Sequence, residues 1–166
     1  MTRNNNTRDL AMATPANYQT ATLPAHVGHD FGFTRPMLVD QARIDAFAEC
    51  TGDKQWIHVD VERARATPLG STIAHGMLLT SLIPMAQYEL GVYPDDAGSV
   101  LNYGMERVRF LEPVPADSEL VLQVSIASVE PKGTGRYLVR CANAAYKATA
   151  RERPVMVGES LALVMA

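Results

Sequence analysis

The sequence predicts an α+β domain in which one antiparallel sheet curls around a long enclosed helix. Three observations lead there. The stretch from Gly76 to Leu90 is apolar on nearly every side, as in a helix surrounded by other structure. The second half of the chain changes to a period of two, the mark of strands with one buried face. The length, 166 residues with 47% apolar and 20% charged, fits one domain of about 100–200 residues that needs neither disulfides nor a structural metal.

Along the chain, residues 1–24 are rich in Thr, Asn and Ala without periodicity and read as a flexible arm, with a single domain over residues 25–166. Phe33 to Val39 is extended. Asp40 is a good N-cap for a helix whose apolar stripe is Ile44, Phe47, Ala48 and Thr51, and Gly52 sits where a left-handed residue would end it. Asp60 can cap a second short helix through about Ala66, which Pro68 to Ser71 breaks. Pro84 should bend the long helix, and Gly91 should end it. Val100 to Phe110 makes a strand, as does the alternating run around Leu120, Leu122, Val124 and Ile126. Gly133–Thr134–Gly135 then turns the chain into Tyr137 to Lys147, and Pro154 precedes a last strand ending near Met165. One sheet on one long helix is the hot-dog fold. Its exposed edges make a homodimer the expected assembly.

Fifteen Lys and Arg against eighteen Asp and Glu give a net charge of −3, which argues against a nucleic-acid partner held by phosphate charge. Cys50 and Cys141 fall in no metal or redox spacing, and a reducing compartment suits them. No secretory signal is visible, and Ile73 to Ala86, the longest apolar stretch, is too short to cross a bilayer. A soluble cytoplasmic protein is expected.

Two short segments carry chemistry. Gly52 to Asp60, GDKQWIHVD, puts the Asp53 carboxylate and the His58 imidazole five residues apart in a loop, where both can fold onto one water. Such a pair can accept and return a proton near neutral pH, although a turn Asp and a packed His are the ordinary alternatives. The second segment, Ile73 to Met77, begins the enclosed helix. There the free N–H groups of a helix start and a glycine, Gly76, would let a thioester carbonyl approach the backbone, unless Gly76 serves only close packing. His75 reads as a hydrogen-bonded structural histidine. His26 and His29 read as surface residues, and Met77 as core or as lining of an acyl tunnel.

Three blocks in order, GDKQWIHVD at Gly52, GSTIAHGMLLTSLIP at Gly70 and LNYGMERVRFLEPVP at Leu101, resemble the MaoC-like (R)-specific enoyl-CoA hydratases, in particular the branch of nodulation protein N. The resemblance runs from about Val39 to the C-terminus. It implies a hot-dog dimer, Asp53 and His58 as catalytic dyad, and an oxyanion contact from the Gly76 backbone. The substrate it implies is a thioester of coenzyme A or of acyl-carrier pantetheine, with no other cofactor and no metal, and an acyl carrier protein as a further partner. Gln55, Trp56, His75, Met77, Asn102 and Tyr103 are the expected substrate-binding residues. Gln55 and Trp56 stand where many of these hydratases have Asn and Pro, and Pro84 where they have a serine, so the pocket should differ in shape. The expected activity is reversible hydration of a trans-2-enoyl thioester. A dehydratase or cyclase on a carrier-bound chain and a non-catalytic thioester-binding module are the alternatives.

Overall fold

The computed structural model describes residues 14–166, and its strands form one antiparallel sheet. In chain order the elements are β1 (Asp30–Phe33), β2 (Met37–Val39), α1 (Gln41–Thr51), α2 (Trp56–Val59), α3 (Val61–Arg65), α4 (Gly76–Ser81) and α5 (Ile83–Glu89). Four long strands follow, β3 (Ser99–Phe110), β4 (Ser118–Pro131), β5 (Arg136–Lys147) and β6 (Ala150–Met165). The sheet runs β1-β4-β5-β6-β3, with β2 also on β4. Its centre is a meander of β4, β5 and β6, as the turn residues require, and β3 closes against β6 to become the far edge.

The expected caps are in place. Asp40 accepts from Arg43 N at 2.9 Å, and Gly52, at φ +81°, returns its N–H to Ala48 O at 2.8 Å. Asp60 accepts from Arg63 N and starts α3. The core lies between the concave sheet and α4 with α5: Leu78, Leu79, Leu82, Ile83 and Ala86 face Leu120, Leu122, Val124, Ile126, Val139 and Met156.

Several expectations change. The last part of the supposed arm is ordered, because Thr20–His26 forms a 3-10 helix that buries Thr20 and sets Leu23 into the core; residues 1–13 lie outside the described residues. His58 is on a short helix, α2, rather than in a loop. The long helix is two helices that meet at Leu82. Pro84 has no N–H for the Thr80 carbonyl, and the turn tightens so that Leu82 N–H reaches Leu79 O at 3.2 Å. Enclosure is also one-sided: Met77 and Tyr88 are 62% and 67% exposed, since one chain's sheet covers only one face of the helix pair. The last strand begins before Pro154, which is accommodated beside register shifts between β5 and β6.

Replacing fully buried Ile126 with Ala is expected to lower unfolding stability by about 2–5 kcal/mol in urea titration. Glu62→Ala on exposed α3 should stay within about 0.5 kcal/mol of the parent protein.

Candidate active site

Gly52 ends α1 and swings the chain outward, so residues 53–55 form an exposed loop between α1 and α2. The loop is tied to the segment before α4. Ile73 N donates to Ile57 O at 3.0 Å, and Gln41, on the first turn of α1, donates to His58 O at 2.8 Å while accepting from the Thr72 hydroxyl.

Two histidines complete the tie reciprocally. His58 Nδ1 lies 2.7 Å from Ile73 O, and His75 Nε2 lies 2.9 Å from Asp53 O. A carbonyl only accepts, so each of these nitrogens carries a proton and donates. In the neutral rings this leaves the lone pair on Nε2 of His58 and on Nδ1 of His75. The latter is buried and has no partner among the described residues. The rings stack at 3.7 Å and 25°, and Phe47 packs at 5.1 Å from His75. One carboxylate oxygen of Asp53 and one ring nitrogen of each histidine lie within 4.8 Å of one another. His58 and His75 are buried, whereas Asp53 is exposed.

The same three side chains form the one cluster of metal-ligand type among the described residues. A zinc ion bound by two imidazoles lies near both ring planes, about 2 Å from each nitrogen. The rings are stacked and nearly parallel rather than converging on such a point. The pattern suits proton transfer.

Asp53 lines a cavity of about 510 Å³ together with Thr51, Met77, Ser81, Asn102 and Met105, between α4 with α5 and the β3 edge. His58 and Gly76 line a second cleft, of about 220 Å³, walled by Phe110 and Val114. Gly76 is required there for packing. A Cβ at that position would stand 2.7–2.9 Å from three atoms of the Phe110 ring. Met77 and Asn102 both line the 510 Å³ cavity. Gln55 stands exposed on the loop with its carbonyl accepting from His58 N, and Trp56 lies beneath the Arg63 guanidinium at 4.3 Å. Tyr103, 70% exposed, is not among the residues lining the cavity and sits at a register shift between β3 and β6. His75 is also not a wall of the cavity; it is the clamp on Asp53. Arg107 pairs with Glu159, and Arg109 stands opposite Val157, two residues along β6 on the same face of the sheet.

At the inner end of the cavity are residues that sequence reading did not single out. Gln87 and Ser160 line it, bonded to Asn143 and Tyr93. A signal was available, since Gln87 interrupts an apolar run and Asn143 shares strand parity with buried Cys141 and Ala145. Burial raises the Tyr93 phenol pKa, so it remains a donor, and pushes the Cys141 thiol up to about 12, so it remains protonated.

A profile of the MaoC like domain matches residues 22–149. The chain is 40% identical, over 69% of its length and 76% of the relative's, to 3-hydroxyacyl-thioester dehydratase Z of Mycobacterium tuberculosis. It is 41% identical to nodulation protein N of Rhizobium leguminosarum bv. viciae, over 60% of this chain and 63% of that one. The unliganded R-hydratase PhaJ1 of Pseudomonas aeruginosa has a TM-score of 0.69 and 27% identity, over 89% of this chain and 84% of that chain.

Gly76→Ala is expected to destabilise the protein by about 1–3 kcal/mol through the Phe110 contact. In a double-mutant cycle read by thermal unfolding, that cost should vanish when Phe110 is already Ala; an undiminished cost would assign Gly76 another role.

Proposed function

Because the chain belongs to the MaoC-like domain family, we propose that it is a hydro-lyase that adds water reversibly and (R)-specifically to a trans-2-enoyl thioester. The observation that carries this reading is a ring nitrogen of His58 and a carboxylate oxygen of Asp53 within 4.8 Å of one another, with His58 Nδ1 bonded to Ile73 O. In hydration, His58 Nε2 draws a proton from a water that Asp53 orients, and the water oxygen bonds the β-carbon. Negative charge passes to the thioester oxygen, where one oxyanion donor such as Gly76 N–H lowers the barrier by about 2.7–4 kcal/mol. The proton held at the dyad then returns to the α-carbon from the same face. H and OH are added in total, and dehydration is the reverse. The roles of the two groups can be exchanged without altering this balance. Acid–base chemistry alone suffices, so the thioester's own coenzyme A or carrier pantetheine is the only cofactor invoked.

Homology to a named 3-hydroxyacyl-thioester dehydratase and fold similarity to a named R-hydratase support both directions of one reaction. A carrier-bound chain as substrate and a thioester-binding module without turnover are the alternative readings. Assay of coenzyme A against carrier thioesters separates the first, and binding without loss of enoyl absorbance would reveal the second. The unpaired edge of β3, with exposed Leu101, Tyr103 and Met105, supports a homodimer, and because Asn102 and Met105 line the cavity a second copy would complete its rim. Two unpaired cysteines and a charge of −3 support a cytoplasmic setting without nucleic acid. Among the described residues no helix is long and apolar enough to cross a membrane.

With crotonyl-CoA, Asp53→Asn and His58→Ala are each expected to lower kcat/KM by about 10²–10⁴ with circular dichroism unchanged. Near-parental turnover in either variant would remove that residue from the chemistry. Separately, Leu101→Lys should shift the protein from dimer to monomer in sedimentation velocity, and a parent that already sediments as a monomer would refute the edge pairing.

A further inference from the structure

The inner end of the cavity is built from polar groups that hydration chemistry does not use, and their hydrogen bonds can be followed atom by atom. Gln87, Asn143 and Ser160 are only 1%, 3% and 9% exposed. Asn143 Nδ2 donates to Cys141 O at 2.9 Å, which fixes the amide so that its Oδ1 faces Gln87. Gln87 must then present Nε2, and it donates to Asn143 Oδ1 at 3.2 Å and to Ser160 Oγ at 2.7 Å. Its Oε1 accepts from the Tyr93 hydroxyl at 2.9 Å. Asn143 Nδ2 also donates to Ser160 Oγ at 3.1 Å and, at a longer 3.4 Å, to Gly158 O. Both lone pairs of the Ser160 oxygen thereby face amide donors. The hydroxyl's own hydrogen has no acceptor among the described residues.

A hydroxyl in this state presents one donor and nothing else. Ser160 lines the cavity, whose other walls include Phe47, Met77, Ile83, Pro84 and Met105, all apolar. A donor left unanswered among such groups is unfavourable, so the occupant should supply an acceptor. We propose that the acyl chain taken by this protein carries a keto or hydroxyl oxygen beyond the reacting double bond, and that Ser160 recognises it. The proposal rests on the hydration reading and deepens it by substrate class: oxygenated rather than plain hydrocarbon enoyl thioesters. Gly76 opens α4 whereas Gln87 lies near the end of α5, so the oxygen belongs well out along the chain.

The test sets pairs of trans-2-enoyl-CoA thioesters of equal length in competition, one all-carbon and one with a keto oxygen placed at successive positions toward the chain end. The parent protein should prefer the oxygenated member by about three- to tenfold in kcat/KM at one position, the worth of one neutral hydrogen bond. Ser160→Ala should bring that ratio to about one. Because both substrates meet the same enzyme, loss of folded protein cancels, and Ser160→Cys, closer in volume and a weak donor, should behave alike if the alanine variant does not fold. A ratio of one at every position, or a preference that survives the variant, overturns the proposal while all-carbon turnover leaves the hydration reading standing. No turnover of any thioester by the parent protein overturns that reading and this proposal with it.

Discussion

Two carbonyl oxygens hold this site together. Ile73 O accepts from His58 and Asp53 O accepts from His75, so each of two neighbouring segments grips the backbone of the other through an imidazole. Each bond is worth only about 1 kcal/mol of net stability. Its larger effect is to select a tautomer: the acceptor cannot change roles, so in the neutral ring the other nitrogen of His58 holds the lone pair, and the Asp53 loop is anchored through its backbone while its carboxylate takes a long bond from Gln55 N–H at 3.4 Å. Stacking of the rings then holds the two anchors face to face.

That lock sits at a rim because of how the sheet is layered. The β4-β5-β6 meander supplies the apolar floor on which α4 and α5 pack, whereas among the described residues β3 is an edge joined only to β6. Between the helices and this edge the packing opens into a cavity with the Asp53 loop on one wall and the Gln87, Asn143 and Ser160 cluster at its inner end. Apolar walls between two polar ends suit a ligand with a reactive head and a body that leaves water behind. The exposed side of α4 and α5, with Met77 and Tyr88, shows that a single chain does not finish this enclosure.

Much of this was legible because it depends on near neighbours in sequence. Asp40 and Gly52 delimit α1 by local hydrogen bonding and a positive φ, and alternation from Leu120 to Ile126 places a strand face. The closeness of Asp53 to His58 follows from five residues of chain. The break at Leu82 was only partly legible: Pro84 announced a disturbance, while its outcome, two helices rather than one bent helix, depended on how Leu82 could rebond. Ordering of Thr20 to His26 escaped reading because Leu23 gains its burial from strands more than ninety residues away.

By itself, then, the sequence determined the layering of sheet on helix and the closeness of Asp53 to His58, since periodicity, caps and short loops act over a few residues. Only tertiary structure decided which nitrogen of His58 is free, why Gly76 has no side chain beside Phe110, and that Gln87, Asn143 and Ser160 share hydrogen bonds. Those outcomes are set by contacts between distant segments, where direction and distance, rather than residue type, determine what an atom can donate or accept.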